Sequence, residues 1–175
     1  MSLKGKCASL RGRPIGLNGR QQRVWTENQK KIVYALMDVF PNSVGISFLQ
    51  KRTGLSRPTL YKHIEKLEKE AVLVRESGNL RLDPAYHAER HVRLQDAISH
   101  QIPLEEGILV VRLESNNPVT CQISSGSTSL YTVTSPTVAS TIPFTTQPTV
   151  QIAPTQQQTT INVQVMAFKL DRPAT

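Results

Sequence analysis

Between Gly45 and Leu82 this 175-residue chain changes hydrophobic period without a gap, and no other feature restricts its folding as strongly. Leu60, Ile64 and Leu67 recur at four and three residues, the apolar stripe of an amphipathic helix. After Glu70 the alternation has period two, through Val72-Leu73-Val74-Arg75 and Leu80-Arg81-Leu82, on either side of the turn residues Ser77-Gly78-Asn79. A helix running directly into a hairpin is therefore expected.

The residues before that helix have the chemistry of caps and turns. Ser47 can cap a short helix reaching Thr53, and Gly54 stands where a left-handed residue usually ends one. Leu55 offers an apolar plug for the turn, Ser56 is a second N-cap candidate, and Pro58 falls in a first turn where its missing N–H costs little. At about 100° per residue, Pro58, Lys62, Glu65 and Lys69 project furthest from the stripe, flanked by Thr59, Tyr61 and Lys66. Upstream, Thr26-Glu27-Asn28-Gln29 has capping-box spacing, with Ile32, Val33, Leu36, Val39 and Phe40 following at helical intervals up to the breaker Pro41-Asn42-Ser43. Three helices and a hairpin, over residues 25–82, are expected to share one small core.

Thr53-Gly54-Leu55-Ser56-Arg57, Thr59-Leu60-Tyr61-Lys62-His63-Ile64 and Lys66-Leu67-Glu68 resemble the winged helix-turn-helix of bacterial and archaeal transcriptional regulators. Such domains often have Gly before the first wing strand, where this chain has Glu70-Ala71, so the helix is expected to run slightly further. The resemblance implies that the helix over residues 56–69 enters the DNA major groove while the hairpin over 72–82 touches backbone or minor groove. It places Arg57 and Lys62 at guanine edges or phosphates, Thr59 at a phosphate or thymine methyl, and Tyr61 at a phosphate. Ser56, Lys66 and Lys69 on the helix, and Arg75, Asn79 and Arg81 on the hairpin, complete the expected contact set.

Charge segregation fits that reading. Residues 1–100 carry 18 Lys and Arg against 9 Asp and Glu, whereas residues 101–175 carry 3 against 4. The basic excess thus lies where phosphate neutralisation would need it. Residues 1–24 hold six basic residues, no acidic ones and four glycines, and predict a mobile basic arm. Within it, Arg11-Gly12-Arg13-Pro14 resembles the core of an AT-hook, which implies that Arg11 and Arg13 follow an A·T minor groove. No apolar run in the arm has signal-peptide length, and no segment has membrane-spanning length.

Asp83-Pro84 reads as an N-cap and first-turn proline, predicting a connecting helix over residues 83–101 with sparse apolar positions at Tyr86, Val92, Leu94, Ala97 and Ile98. Such a helix is expected to pair with its copy in a homodimer or to pack on the preceding unit. On it, His87 and His91 would share one face at a spacing that chelates zinc, but no third ligand stands nearby, so no metal is expected.

From Ser115 to Phe168 there is no Asp, Glu, Lys or Arg. Alternating β-branched segments at 108–113, 119–123, 130–133, 149–152 and 161–168 predict strands, with turns at Asn116-Asn117-Pro118 and Ser124-Ser125-Gly126-Ser127. Residues 135–148, with three prolines, read as a long loop or an edge strand. A β-rich module over 102–175 is preferred to a disordered Thr/Gln-rich tail, and its uncharged edges invite oligomerisation.

Cys7 and Cys121 lack metal or redox spacing and suit a reducing interior or the absence of selection for a bridge. No nucleophile-elbow, phosphate-loop or dinucleotide fingerprint is present, so neither an enzyme nor a cofactor is expected. The expected fold is α+β, an N-terminal winged helix-turn-helix followed by a connecting helix and a small antiparallel β-rich C-terminal domain. The expected function is sequence-specific binding of double-stranded DNA by a cytoplasmic, nucleoid-associated transcriptional regulator without a membrane partner. The alternative is a viral or plasmid structural or assembly protein, in host cytoplasm if viral, whose basic helix docks nucleic acid or another subunit.

Overall fold

The computed structural model describes residues 25–169. Helix α1 (Glu27–Val39) starts at a reciprocal cap, in which Thr26 Oγ1 accepts from Gln29 N at 3.2 Å and Gln29 Oε1 accepts from Thr26 N at 2.8 Å. Helix α2 (Ile46–Thr53) is capped by Gly45 without a side-chain bond, so Ser47 lies inside the helix instead of at its start. It ends at Gly54, φ 73°, whose N–H reaches Gln50 O at 3.0 Å. Helix α3 (Arg57–Lys69) begins at Ser56, whose hydroxyl accepts from Thr59 N, and carries its proline in the first turn.

Glu70 and Ala71 end α3 instead of extending it. Ala71 takes φ 61°, its N–H bonds Glu68 O at 3.0 Å, and Val72 N–H reaches back to Leu67 O at 2.9 Å. These are the paired bonds of a Schellman stop, made here without glycine. Strands β1 (Leu73–Glu76) and β2 (Asn79–Leu82) then form a hairpin over Ser77, φ 53°, and Gly78, φ 85°. Two consecutive left-handed residues match the twist of a two-residue hairpin turn.

The rest of the chain is one antiparallel six-stranded sheet of β3 (Tyr86–Leu94), β4 (Ile98–Gln101), β5 (Gly107–Ser125), β6 (Thr128–Phe144), β7 (Pro148–Pro154) and β8 (Thr159–Phe168). Along one side of β5, Ile108–Ser115 carries β8 and then β3, while Val119–Ser125 carries β7 and then β4; β6 occupies the other side. The long β5–β6 hairpin is bent at a register shift between Glu114 and Val119, and the sheet curls into a half-barrel. The apolar face of this half-barrel is lined by Leu109, Val111, Leu113, Ile152, Val163 and Val165 among others.

A second core lies between helices and sheet. Ile32, Leu36, Leu49, Leu60, Ile64 and Leu67 pack with Ile108, Val110, Met166 and Phe168 of β5 and β8. Each of these large side chains is fully buried, an exchange worth about 1.5–3 kcal/mol apiece against exposure. Trp25 meets Phe168 edge-to-face at 5.4 Å. Asp38 accepts from Arg52 at 2.7 Å and also from Arg112 of β5, which pins α1 to the sheet. Cys121 is buried in the half-barrel core, and burial pushes its thiol up to about 11.

The expectation of an N-terminal winged helix-turn-helix with a small β appendage is overturned. The two longest strands, of 19 and 17 residues, together outnumber the helices of 13, 8 and 13. Strand dominates, and the leading helices complete their core on the sheet instead of closing a fold of their own.

The connecting helix over 83–101 is absent, replaced by β3 and β4. Asp83 N–H bonds Val72 O at 2.8 Å and Ala85 N–H bonds Ala167 O at 2.9 Å, so these amides are committed to partners distant in sequence. Tyr86, Ala88, Val92 and Leu94 have the period of a strand with one buried face. A helix-borne dimer contact is removed with it. On a strand, His87 and His91 are about 13 Å apart, beyond a shared zinc. His87 instead packs its ring on Phe40 at 4.8 Å. The predicted turn at Asn116-Asn117-Pro118 is a bulge inside β5, where Asn116 bonds Gln158 O at 3.0 Å and Thr160 N at 2.8 Å. The proline-bearing region after Ser135 belongs to strand β6 and, from Pro148, to β7.

Candidate functional site

Among the described residues, the outward side of α3 carries exposed cations that form no ion pair. Its inward side, Leu60, Ile64 and Leu67, is fully buried, and that fixes the helix rotation. Arg57, Tyr61, Lys62, Glu65, Lys66 and Lys69 are consequently exposed. Tyr61 is 47% exposed and stands out as a large apolar side chain left in solvent.

Partners divide these cations into two groups. Arg57, Lys62 and Lys66 form no ion pair among the described residues, whereas Lys69 lies 3.8 Å from Glu65. On the hairpin, Arg75 is held by Glu68 at 2.9 Å and Arg81 by Glu76 at 3.1 Å. Arg81 also donates to Leu82 O at 2.9 Å. Hydrogen bonding to Glu68 raises the Arg75 value above its ordinary one. Of these two elements, the helix offers unopposed positive charge, whereas the hairpin cations are already satisfied.

Arg57 is positioned from the neighbouring helix. Its Nε donates to Gln50 Oε1 at 3.2 Å and its Nη2 to Ser47 Oγ at 3.4 Å, so α2 steers the guanidinium. Gln50 and Ser47 were not legible as site residues, because their role depends on the angle between α2 and α3. Ser56 and Thr59 share a hydroxyl bond of 2.9 Å at the start of α3. Ser56 is spent on the cap, and its remaining capacity faces solvent. Asn79 is exposed at the hairpin turn, with Oδ1 3.5 Å from where a side chain on Gly45 would stand.

His63 lies between the lysines. Desolvation, and then the ammonium groups of Lys62 and Lys66, hold its imidazole below the usual value. A cationic field on this face is thereby felt by a neighbour. Arg11 and Arg13 fall outside the described residues, as does the whole arm over 1–24.

Elsewhere, no group of three His, Cys, Asp or Glu side chains among the described residues is placed to hold a metal ion. No helix among the described residues is long and apolar enough to cross a membrane.

No family model matches the chain, the winged helix-turn-helix included, and no curated protein matches it. Among solved structures it is similar to the nucleoplasmin-like N-terminal domain of Drosophila FKBP39, with 12% identity over 53% of this chain and 100% of that one, at a TM-score of 0.33. The regulator family suggested by residues 53–68 is thus not supported, since no family model matches and the bulk of the described residues is sheet.

Proposed function

We propose that the chain binds double-stranded DNA through the outward face of α3, with Arg57, Lys62 and Lys66 neutralising phosphates or reading guanine edges and Tyr61 contacting a phosphate. The observation that carries this reading is that Lys62 and Lys66, on the solvent side of a helix whose other side is locked in the core, and Arg57, exposed at its first turn, form no ion pair among the described residues. A helix of 13 residues is about 20 Å long, enough to lie in a major groove about 12 Å wide. Thr59 and Lys69 lie beside this surface, and the β1–β2 hairpin adds Asn79 near the backbone. Arg75 and Arg81 contribute only if they leave Glu68 and Glu76.

Sequence selectivity, and with it a role as a transcriptional regulator, is the finer part of the proposal. Binding to random duplexes should weaken as salt rises, with a log–log slope near −0.9 for each phosphate neutralised. Arg57→Ala and Lys62→Ala should each reduce that slope by about 1 if the contact is to phosphate. Selection of bound fragments from random duplex DNA should return a consensus. Affinity indifferent to salt and to both substitutions would overturn DNA binding, and binding without a consensus would overturn the regulator role.

A further inference from the structure

We propose that β6 is a self-association edge, along which a second copy of this chain pairs antiparallel and continues the sheet across a two-fold axis. Among the described residues the sheet has three open edges, and they are treated differently. Strand β3 exposes Glu89, Arg90 and Arg93 along its length, and β4 is only 4 residues long. Charge and brevity are both ways of blunting an edge. Strand β6 has 17 residues, pairs with β5 alone and carries no charged residue.

Its two prolines do not seal it. Pro136 sits at the β5 register shift, where the local polar groups are satisfied internally: Thr137 N donates to Ser135 Oγ at 3.2 Å and Ser115 Oγ donates to Pro136 O at 3.3 Å. Pro143 lies near the end of the strand. Two regular runs remain, residues 131–135 and 138–142. Their outward backbone groups have no backbone partner among the described residues.

Charge selects the occupant. Each copy carries a formal net charge of +8, so two copies repel wherever their basic surfaces meet. The uncharged span from Ser115 to Phe168 contains all of β6, so this edge brings copies together without opposing like charges. The side chains suit self-pairing too. Thr120 and Thr134 already share a hydroxyl bond of 3.0 Å between β5 and β6. A two-fold axis at Val133 would set Thr132 of one copy opposite Thr134 of the other, repeating a favourable threonine pair.

Sedimentation equilibrium of the full chain should show a reversible dimer. Thr132→Lys combined with Thr134→Lys places like charges across the axis and should weaken dimerisation about tenfold or more. Gln151→Lys, adding charge at an exposed site on the interior strand β7, should leave it unchanged. On the unmodified chain, amide exchange of residues 131–135 and 138–142 should slow as protein concentration rises. A monomer at all concentrations, a dimer indifferent to the paired lysines, or concentration-independent exchange along β6 would overturn the proposal. So would association only with unrelated proteins.

Discussion

Arg75 on β1 grips Glu68 on α3 with two hydrogen bonds, Nε to Oε2 at 2.9 Å and Nη2 to Oε1 at 3.1 Å. The forked geometry ties the hairpin to the helix and removes one cation from the surface proposed to meet DNA. Glu68→Gln should free that guanidinium and delete a negative charge from α3. Affinity for duplex DNA at moderate salt is expected to rise about three- to tenfold. Stability should fall by no more than about 1 kcal/mol, because the pair is partly solvated. Paired binding titrations and urea melts check both; an affinity loss would contradict the interface.

Ala71 holds a left-handed backbone, φ 61°, that strains a residue with a Cβ. Ala71→Gly should relieve it and raise stability by about 1 kcal/mol, even though glycine adds freedom to the unfolded chain. Chemical denaturation measures the gain. A loss would mean that the helix stop depends on the alanine side chain.

Gly107 is required by close approach. Its φ is 154°, and a Cβ there would lie 2.1 Å from Phe168 O, inside the backbone of β8. Gly107→Ala must push β5 from β8 near the core that both strands share with the helices. A destabilisation of about 2–4 kcal/mol is expected in equilibrium unfolding. Near-neutral behaviour would show that the two strands separate easily.

His63 makes the fold acid-sensitive in a definite direction. Its value is lowered on folding, so the folded chain binds fewer protons than the unfolded chain. Stability from this group is full above the ordinary histidine range, near 6.5, and declines as pH falls through that value toward the lowered one. His63→Gln should lose less stability than the parent between neutral and mildly acidic pH. Equal losses in thermal melts would assign the acid sensitivity elsewhere.

Local signals were readable where a single segment determines the outcome. The reciprocal bond of Thr26 with Gln29, the cap at Ser56 and the hairpin turn at Ser77-Gly78 depend on residues a few positions apart. The exposed cations of α3 were likewise visible, because the Leu60, Ile64 and Leu67 stripe fixes the rotation. Architecture was not readable in this way. Asp83-Pro84 has helix-start chemistry, yet pairing with Val72 and the strand ending at Phe168 claims the local amides. Nothing in residues 83–101 alone reveals that competition. The neutralisation of Arg75 and Arg81 was hidden for the same reason in the first case, since Glu68 lies on another element, and by hairpin register in the second.

The edge-to-face meeting of Trp25 with Phe168 has a consequence for biosynthesis. The helices leave the ribosome first, but part of their floor, Met166 and Phe168, is among the last described residues to be made. Until that strand emerges, the nascent helices have no surface on which to finish burying their apolar sides. Stalled translation short of residue 166 would leave a sticky, half-built head, a substrate for chaperones.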